Sequence, residues 1–587
     1  MTSRHLTLEH ALYALAFILA LTLRFLHLGA LPLSDLEADW ALQALQVARG
    51  AHPVIGPNPA YVLLTSILFF VFGANNFLAR FWPALAGSVL VLTPFFFRDR
   101  LGRVPALILA FSLACEPSLL ALSRTAGSSI LAVSFFILAW GMVRERRLPL
   151  AGIFGGLALL SGPAVWMGLL ILGLSAAIWR AFAGRQEKIA DQKQTTGEDQ
   201  SSNVNRKSST GTAHWSLITE HWKTVLVYLL VTLLLSGSLF LLAPNGLSAF
   251  VSSFLAFFKG WWTFSGVRVP YLLTTLAAYQ LMALIFGMIA LVRGLRHKNR
   301  LIVGLGLWLA VALFLVLAYP ARQVADLAWM LLPLWALAAL ELGRYAKMEG
   351  VGSWELAGVT VLTISILVFA WLNLAAVAGQ ALTSQVAQTR LLVALGALLI
   401  LGLSLTLVAM GWSSDIARLG AVWGGAAFLA VFTISVATGA GELRQTPTAE
   451  LWSPSPLTVQ ADLLQKTLND LSDWNKGHVE SLPVTIVDLD SPALRWLLRD
   501  WEVKVADVLS PTDSPALVIT PQGMELNLSA AYRGEDFVWY QAPAWDEALP
   551  EEWLRWFVYR QMPQQTQSIV LWARDDLFLG NEAVPSP

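Results

Sequence analysis

The sequence predicts a polytopic α-helical membrane bundle followed by a small α/β domain outside the membrane. Three observations carry that reading. Of the 587 residues, 56% are hydrophobic and 13% are charged, against roughly 25% charged in soluble domains. Apolar runs long enough to cross a bilayer recur through residues 1–440, and the mean hydropathy is +0.60. After residue 440 those runs stop, and charges, prolines and turn residues become frequent.

A spanning helix needs about 20 apolar residues, somewhat fewer when it is packed in a bundle. Candidate runs lie near 8–28, 80–97, 104–122, 127–143, 148–162, 164–181, 223–243, 271–292, 301–319, 325–342, 356–378, 391–411 and 419–438. They predict about thirteen spans. The stretch 148–181 is too long for one span, and Ser161-Gly162-Pro163 divides it. The first run lacks a small-residue cleavage site and continues into Arg24 and His27, so it reads as a retained helix.

Just past that helix, Leu33-Ser34-Asp35-Leu36-Glu37-Ala38-Asp39-Trp40 carries three acids. A helix starting near Ser34 puts Asp35 and Asp39 on one face and turns Glu37 away. Acids at the mouth of a membrane protein suit a transferase that takes a group from a lipid carrier. The alternative is a solvated helix start with Ser34 as N-cap, where negative charge meets the positive helix end.

Further along, residues 184–214 form a polar tract that predicts a disordered cytoplasmic loop. Over 247–262, Phe250, Phe254, Phe257, Phe258 and Trp261 recur at helical spacing. This predicts an interfacial helix on the outer side, the alternative being a displaced piece of a spanning helix. Basic clusters at Arg98–Arg103, Arg144–Arg147, Arg293–Arg300 and Arg344–Lys347 alternate with poorly basic loops. By the positive-inside rule the N-terminus is cytoplasmic, and an odd number of spans puts the C-terminus outside, in a plasma-membrane protein.

Residues 441–474 read as a linker with a short helix, and 475–587 as an extracytoplasmic α/β domain. Strands are expected at Val484–Leu489, Val503–Val508, Ala516–Thr520, Phe537–Tyr540 and Ser568–Ala573, with helices at Pro492–Asp500 and Glu551–Arg560. No glycine-rich strand-to-helix turn or phosphate loop is present. The domain's tryptophans, Trp496, Trp501, Trp539, Trp545, Trp553, Trp556 and Trp572, serve either as its core or as stacking platforms for sugars. A net charge of +0 gives no reason to expect a nucleic-acid partner. The single cysteine, Cys115, excludes an intramolecular disulfide and a multi-cysteine metal site.

Four stretches in order give a family resemblance. The first is Leu23-Arg24-Phe25 through Leu28-Gly29 and Pro32-Leu33 to Glu37-Ala38, then Ala48-Arg49-Gly50. The second is Pro57-Asn58-Pro59-Ala60-Tyr61, then Phe77-Leu78-Ala79-Arg80-Phe81-Trp82-Pro83-Ala84-Leu85. The third is Leu122-Ser123-Arg124-Thr125-Ala126, and the fourth is Gly155-Gly156-Leu157-Ala158-Leu159-Leu160-Ser161-Gly162-Pro163. Together they resemble the GT-C glycosyltransferases, in the family 39 branch that holds the protein O-mannosyltransferases and the aminoarabinose transferase. The family's Asp-Glu pair falls on Leu36-Glu37, so its first acid is absent at that position and Asp35 lies one residue earlier.

The resemblance implies sugar transfer from a polyprenyl-phosphate donor on the outer face, to a lipid, glycan or protein acceptor. The chemistry asks for a carboxylate base and for arginines at the departing phosphate. Glu37 and Asp35 are the expected catalytic carboxylates, and Arg124, Arg80 and Arg322 the expected phosphate ligands. Glu116 and Asp39 are expected to line the pocket, and Asp326 to pair with Arg322. No particular cofactor is implied; two or three close carboxylates leave a divalent cation possible, but no metal ligand set is assigned. The divergent acid motif keeps a second reading open, a catalytically degenerate GT-C-like scaffold or binding subunit in envelope glycan assembly. A transporter is disfavoured by the lack of an evident internal repeat and by the large external domain.

Overall fold

The computed structural model describes residues 8–195, 211–346, 352–444, 448–452, 455–510, 512–525 and 528–578. Its helices follow the apolar runs. They are α1 (Leu8–Phe25), α2 (Asp35–Ala48), α3 (Pro59–Phe72), α4 (Asn76–Leu90), α5 (Arg98–Leu101), α6 (Arg103–Cys115), α7 (Pro117–Ser123), α8 (Ile130–Arg144), α9 (Leu148–Leu159) and α10 (Pro163–Thr195). There follow α11 (Gly211–Gly237), α12 (Asn245–Lys259), α13 (Val269–Tyr279), α14 (Leu281–Arg296), α15 (Arg300–Ala318), α16 (Ala328–Tyr345), α17 (Ser353–Val377), α18 (Gln385–Gly411) and α19 (Ser414–Ala440). Prolines open α3, α7, α9 and α13, and Asn75, Asn299, Ser384 and Ser413 cap α4, α15, α18 and α19.

Eight helical runs are long and apolar enough to cross a membrane, or up to 10 if each of two bent pairs counts as one span, against about thirteen expected. The remaining expected runs are shorter apolar helices, Ile130–Arg144, Leu148–Leu159 and Trp222–Gly237. The chain is thus an integral multi-pass membrane protein.

The bent pairs have a chemical cause. Pro117 has no N–H, so the Leu113 carbonyl lacks its helical donor, and α6 and α7 meet at 54°. Arg24 of α1 supplies the missing donors, to Leu113 O at 3.2 Å and Ala114 O at 3.1 Å. The second break, 90° between α13 and α14, lies at Gln280. Gln280 donates to Glu116 and to Ser118 Oγ at 2.9 Å, and accepts from Trp335 Nε1 at 3.0 Å. The two breaks therefore brace each other.

The expected disordered loop at 184–214 is described only at its two ends. Helix α10 runs in to Thr195 and α11 starts at Gly211, and residues 196–210 lie outside the described residues. The expected helix at 247–262 corresponds to α12, with Phe257 buried and Phe254 and Phe258 exposed.

The C-terminal unit is a mixed sheet of β1 (Leu457–Thr458), β2 (Val484–Val487), β3 (Val503–Ala506), β4 (Leu517–Pro521), β5 (Tyr532–Pro543) and β6 (Gln564–Arg574), with α20 (Ala461–Lys476), α21 (Pro492–Leu497) and α22 (Pro550–Tyr559). The strand order is β1-β5-β6-β4-β2-β3. Strand β2 runs parallel to β3 and β4, and the other pairings are antiparallel. Leu464 and Leu468 of α20 are fully buried in the same core as Ile486, Ile519 and Trp539. The unit therefore begins near Leu457, ahead of the boundary expected at 475. Trp496, Trp501, Trp539 and Trp556 are buried, as a core role requires.

This unit is welded to the bundle. Its core is continuous with buried residues of α2 and α3, among them Ala38, Leu45 and Tyr61. Helix α22 leaves the sheet and packs on the membrane helices. Trp556 Nε1 donates to Ala449 O at 2.6 Å, and Phe557 meets Trp371 and Phe432.

Candidate active site

Helix α2 starts where the sequence placed it, after Ser34, and Glu37 folds back on that start. The Ser34 amide and hydroxyl donate to Glu37 Oε2 at 3.1 and 3.2 Å. Arg80 of α4 grips the same carboxylate with two parallel bonds, Nε to Oε1 at 2.8 Å and Nη2 to Oε2 at 2.7 Å. The Ala126 amide adds a bond to Oε1 at 2.9 Å. Glu37 is 4% exposed and every lone-pair direction is taken. Burial pushes its carboxyl up, but the Arg80 charge and hydrogen bonds, with the Ala126 and Ser34 amides, more than reverse that, so it stays ionised below the usual carboxylate range. Arg80 also donates to the Leu28, Leu31 and Pro32 carbonyls at 3.3, 3.0 and 3.1 Å. The pair thus fixes the turn between α1 and α2.

Asp35 points the other way, into the C-terminal unit. Its Oδ1 accepts from Ser491 Oγ and the Ala493 amide, each at 2.9 Å, and its Oδ2 accepts from Tyr540 OH. Ser491 and Ala493 open α21, directly after β2. In open α/β sheets that corner is where ligands bind. Here the chain's own carboxylate fills it. Nearby, Arg49 pairs with Asp500 at 3.0 Å, and Trp496 Nε1 donates to Asn76 Oδ1 at 2.8 Å. Replacing Asp35 by Ala is expected to loosen this seam by about 1–3 kcal/mol, the cost of stranding its donors. Faster amide hydrogen exchange over 491–497 and around Tyr540, with the membrane helices unchanged, would show it; unchanged exchange would refute it.

Asp39 is the acid of α2 left at the surface, holding only Gln43 Nε2 at 3.0 Å. Burial raises its carboxyl pKa, with Gln43 and Arg495 opposing and Asp490 adding.

The expected phosphate arginines separate. Arg80 is committed to Glu37. Arg124, 5% exposed, collects the carbonyls that end α1: Leu23, Arg24, Leu26 and His27 at 3.3, 2.9, 2.8 and 3.3 Å. Its buried Nε–H has no partner among the described residues. Arg322 is half-buried, donates Nε to Tyr319 O at 2.9 Å and lies 5.7 Å from the Phe264 ring. The expected Arg322–Asp326 pair does not form. Asp326 instead accepts from the Gln323 amide at 2.8 Å, capping a short turn over Val324–Leu327. Glu116 is wholly buried and caps α7 through the Leu119 amide.

One acid missed by the sequence reading lies among these groups. Glu442 follows the end of α19 with φ +53°, a left-handed conformation that costs a non-glycine residue about 1–2 kcal/mol. Gly441, before it, packs on Leu120 of α7. Glu442 is half-buried in a densely packed part of the protein. Burial pushes it up most; Arg80 opposes, Glu37 adds, and Arg124 opposes. Its carboxylate accepts no hydrogen bond from the described residues. A lone acid behind Gly439-Ala440-Gly441, at the exit of the last span, was the available signal.

Among the described residues no three of His, Cys, Asp and Glu converge as a metal-ligand group. Asp35 and Glu37 are occupied by amide, hydroxyl and guanidinium donors.

No family model matches the sequence, and no curated protein matches it. Among solved structures, the chain is similar to ArnT from Cupriavidus metallidurans, an aminoarabinose transferase of the GT-C superfamily. The structure bound to undecaprenyl phosphate is 14% identical with a TM-score of 0.51, covering 95% of this chain and 97% of that one. The apo structure is 13% identical at the same TM-score, covering 96% and 98%. The fold is the GT-C fold. The oligosaccharyltransferase of Archaeoglobus fulgidus, in complex with Zn and sulfate, is similar at 14% identity with a TM-score of 0.33, covering 84% of this chain and 61% of that one. On this fold Glu37, Arg80 and Arg124 lie within electrostatic reach of Glu442.

Proposed function

We propose that this chain is a membrane glycosyltransferase that moves a sugar from a polyprenyl-phosphate carrier to an acceptor hydroxyl on the outer face. Its N-terminus is cytoplasmic and its C-terminal unit extracytoplasmic. The observation that carries the reading is a guanidinium donor without a partner among the described residues, Arg124 Nε, within electrostatic reach of Glu442, a carboxylate that accepts no hydrogen bond from them. Support for a lipid-phosphate partner comes from ArnT, which was solved bound to undecaprenyl phosphate on this fold.

The roles divide by what each group has free. Glu442 takes the acceptor's hydroxyl proton as its oxygen attacks the anomeric carbon. The bond from that carbon to the phosphate oxygen breaks, and the polyprenyl phosphate leaves with added negative charge. Arg124, whose Nε–H is unpartnered among the described residues, and Arg322 are the groups assigned to that charge. Glu37 and Asp35 act as positioning residues: Glu37 orients Arg80 and the α1–α2 turn, and Asp35 seats the C-terminal unit.

The scaffold reading keeps one observation in its favour, since two of the three acids of α2 are fully hydrogen-bonded. Donor binding tests the phosphate roles. Arg322→Ala is expected to weaken undecaprenyl phosphate binding about 10–100-fold, from the loss of charge-assisted hydrogen bonds. The Tyr319 carbonyl that Arg322 Nε caps at the end of α15 keeps the Arg322 amide at 3.2 Å, so this variant should fold. Wild-type affinity would remove Arg322 from the site.

The pH profile tests the base. Burial raises the Glu442 carboxyl above the usual range. The transfer rate should therefore rise with pH through a single ionisation above that of an exposed glutamate, then level off. A rate that is flat across that window would exclude a raised carboxyl as the base.

A further inference from the structure

A second cleft, of about 330 Å³, lies in the C-terminal unit. It sits where neighbouring strands end. Leu489 follows β2, Gln522 follows β4, Thr566, Gln567 and Ser568 belong to the start of β6, and Tyr540 comes from β5. The carboxyl ends of parallel strands β2 and β4 form one wall, the position where open α/β sheets take ligands. Strand β2 leaves this edge through Asp488, at φ +49°. Backbone held in that region is concentrated at binding sites.

The lining has a definite chemistry. Gln522, Gln567, Thr566, Ser568 and Tyr540 line the cleft, and among the described residues no charged one does. Each carboxamide both donates and accepts, which matches sugar hydroxyls. The lack of Lys and Arg argues against a phosphate or a nucleotide. A peptide acceptor could not add as a strand here, because β6 is already paired on both sides, with β5 and β4. The volume is at the low end for small-molecule pockets, about 300–1,000 Å³, and suits a sugar unit.

The cleft is also wired to the bundle. Tyr540 lines it and donates its hydroxyl to Asp35, the first residue of α2. Two residues on in that helix is Glu37, which holds Arg80. The strand ends that form the cleft lie on the side of the sheet that meets α2 and, through α22, the membrane helices.

We infer that this cleft binds a neutral sugar unit of the acceptor and orients it toward the membrane-side site. The inference rests on the transferase reading for the word acceptor, while the binding event stands apart from it. Gln522 and Gln567 are the recognition residues, and Tyr540 links occupancy to α2.

The test uses the full-length chain in nanodiscs and saturation-transfer NMR with neutral trisaccharides of glucose, mannose, galactose and N-acetylglucosamine. At least one should receive saturation. Gln522→Ala with Gln567→Ala should weaken it at least about fivefold, since each lost neutral hydrogen bond is worth about 2–10-fold. Both side chains are exposed, so the variant should melt with the wild type. Tyr540→Phe should keep trisaccharide binding and lower transfer. Trisaccharide binding without any transfer activity would leave the cleft standing and remove the transferase reading. Transfer without trisaccharide binding, or binding indifferent to the double substitution, would overturn the cleft. An alkyl glycoside that binds more tightly than its free sugar would support the site and mark a glycolipid acceptor; equal binding would support it and mark a glycan.

Discussion

Replacing Glu442 by Gln is expected to lower turnover by about 10²–10⁴-fold, the usual loss when a general base is removed, with undecaprenyl phosphate affinity held within about twofold. The split follows from the division of labour. The carboxylate acts on the acceptor proton in the transition state, and the donor is held through its phosphate. Stability should move the opposite way. Burial raises the folded-state pKa of Glu442 above its unfolded value. Its stabilising contribution is present below the unfolded pKa and is lost as pH rises through the folded one. At neutral pH its charge is therefore a burden, and Glu442→Gln should melt no lower than wild type. A variant that is inactive because it is misfolded would melt lower, so the two explanations separate in one thermal scan.

The second large effect is on stability. Glu37→Ala should destabilise the chain by about 3–5 kcal/mol, the range for removing one partner of a buried ion pair. The loss strands the Arg80 guanidinium together with the Ala126 and Ser34 amides. Arg80 would then have only the Leu28, Leu31 and Pro32 carbonyls. Replacing both members, Glu37→Leu with Arg80→Met, should recover part of the loss, because no charge is left unpaired. Turnover per folded molecule should fall less in Glu37→Gln than in Glu442→Gln. The reverse order would return the base role to Glu37.

The parts of this structure that rest on local pattern were legible in the sequence. Each expected apolar run is helical, because spanning helices satisfy their own backbone and leave a plain hydropathy signal. The strands and helices expected between 484 and 573 are all present. Missed were β1 and the place of α20, the expected short helix, in the core of the C-terminal unit. A two-residue strand has no periodicity to read, and α20 carries Asp462, Lys466, Asp470 and Asp473 around a narrow apolar stripe, so it resembles a linker helix.

The candidate site was less legible, because its chemistry depends on partners far apart in the chain. The start of α2 at Ser34 and the shared face of Asp35 and Asp39 were readable. That Ser491, Ala493 and Tyr540 would claim Asp35 was not. Nor was the commitment of Glu37 to Arg80 and Ala126. Glu442 is a single acid in what read as the start of a linker. Its burial depends on α19 ending against α7, a tertiary contact with no counterpart in local sequence.

The most direct measurement is transfer itself. The purified chain, reconstituted with radiolabelled polyprenyl-phosphate sugars and with envelope lipid, glycan and peptide acceptors, should move label from at least one donor to a hydroxyl acceptor. The same label should stay on the carrier with Glu442→Gln. Absence of transfer from every donor, by protein that still binds undecaprenyl phosphate, would contradict the enzyme reading and leave a GT-C scaffold that holds the carrier without acting on it.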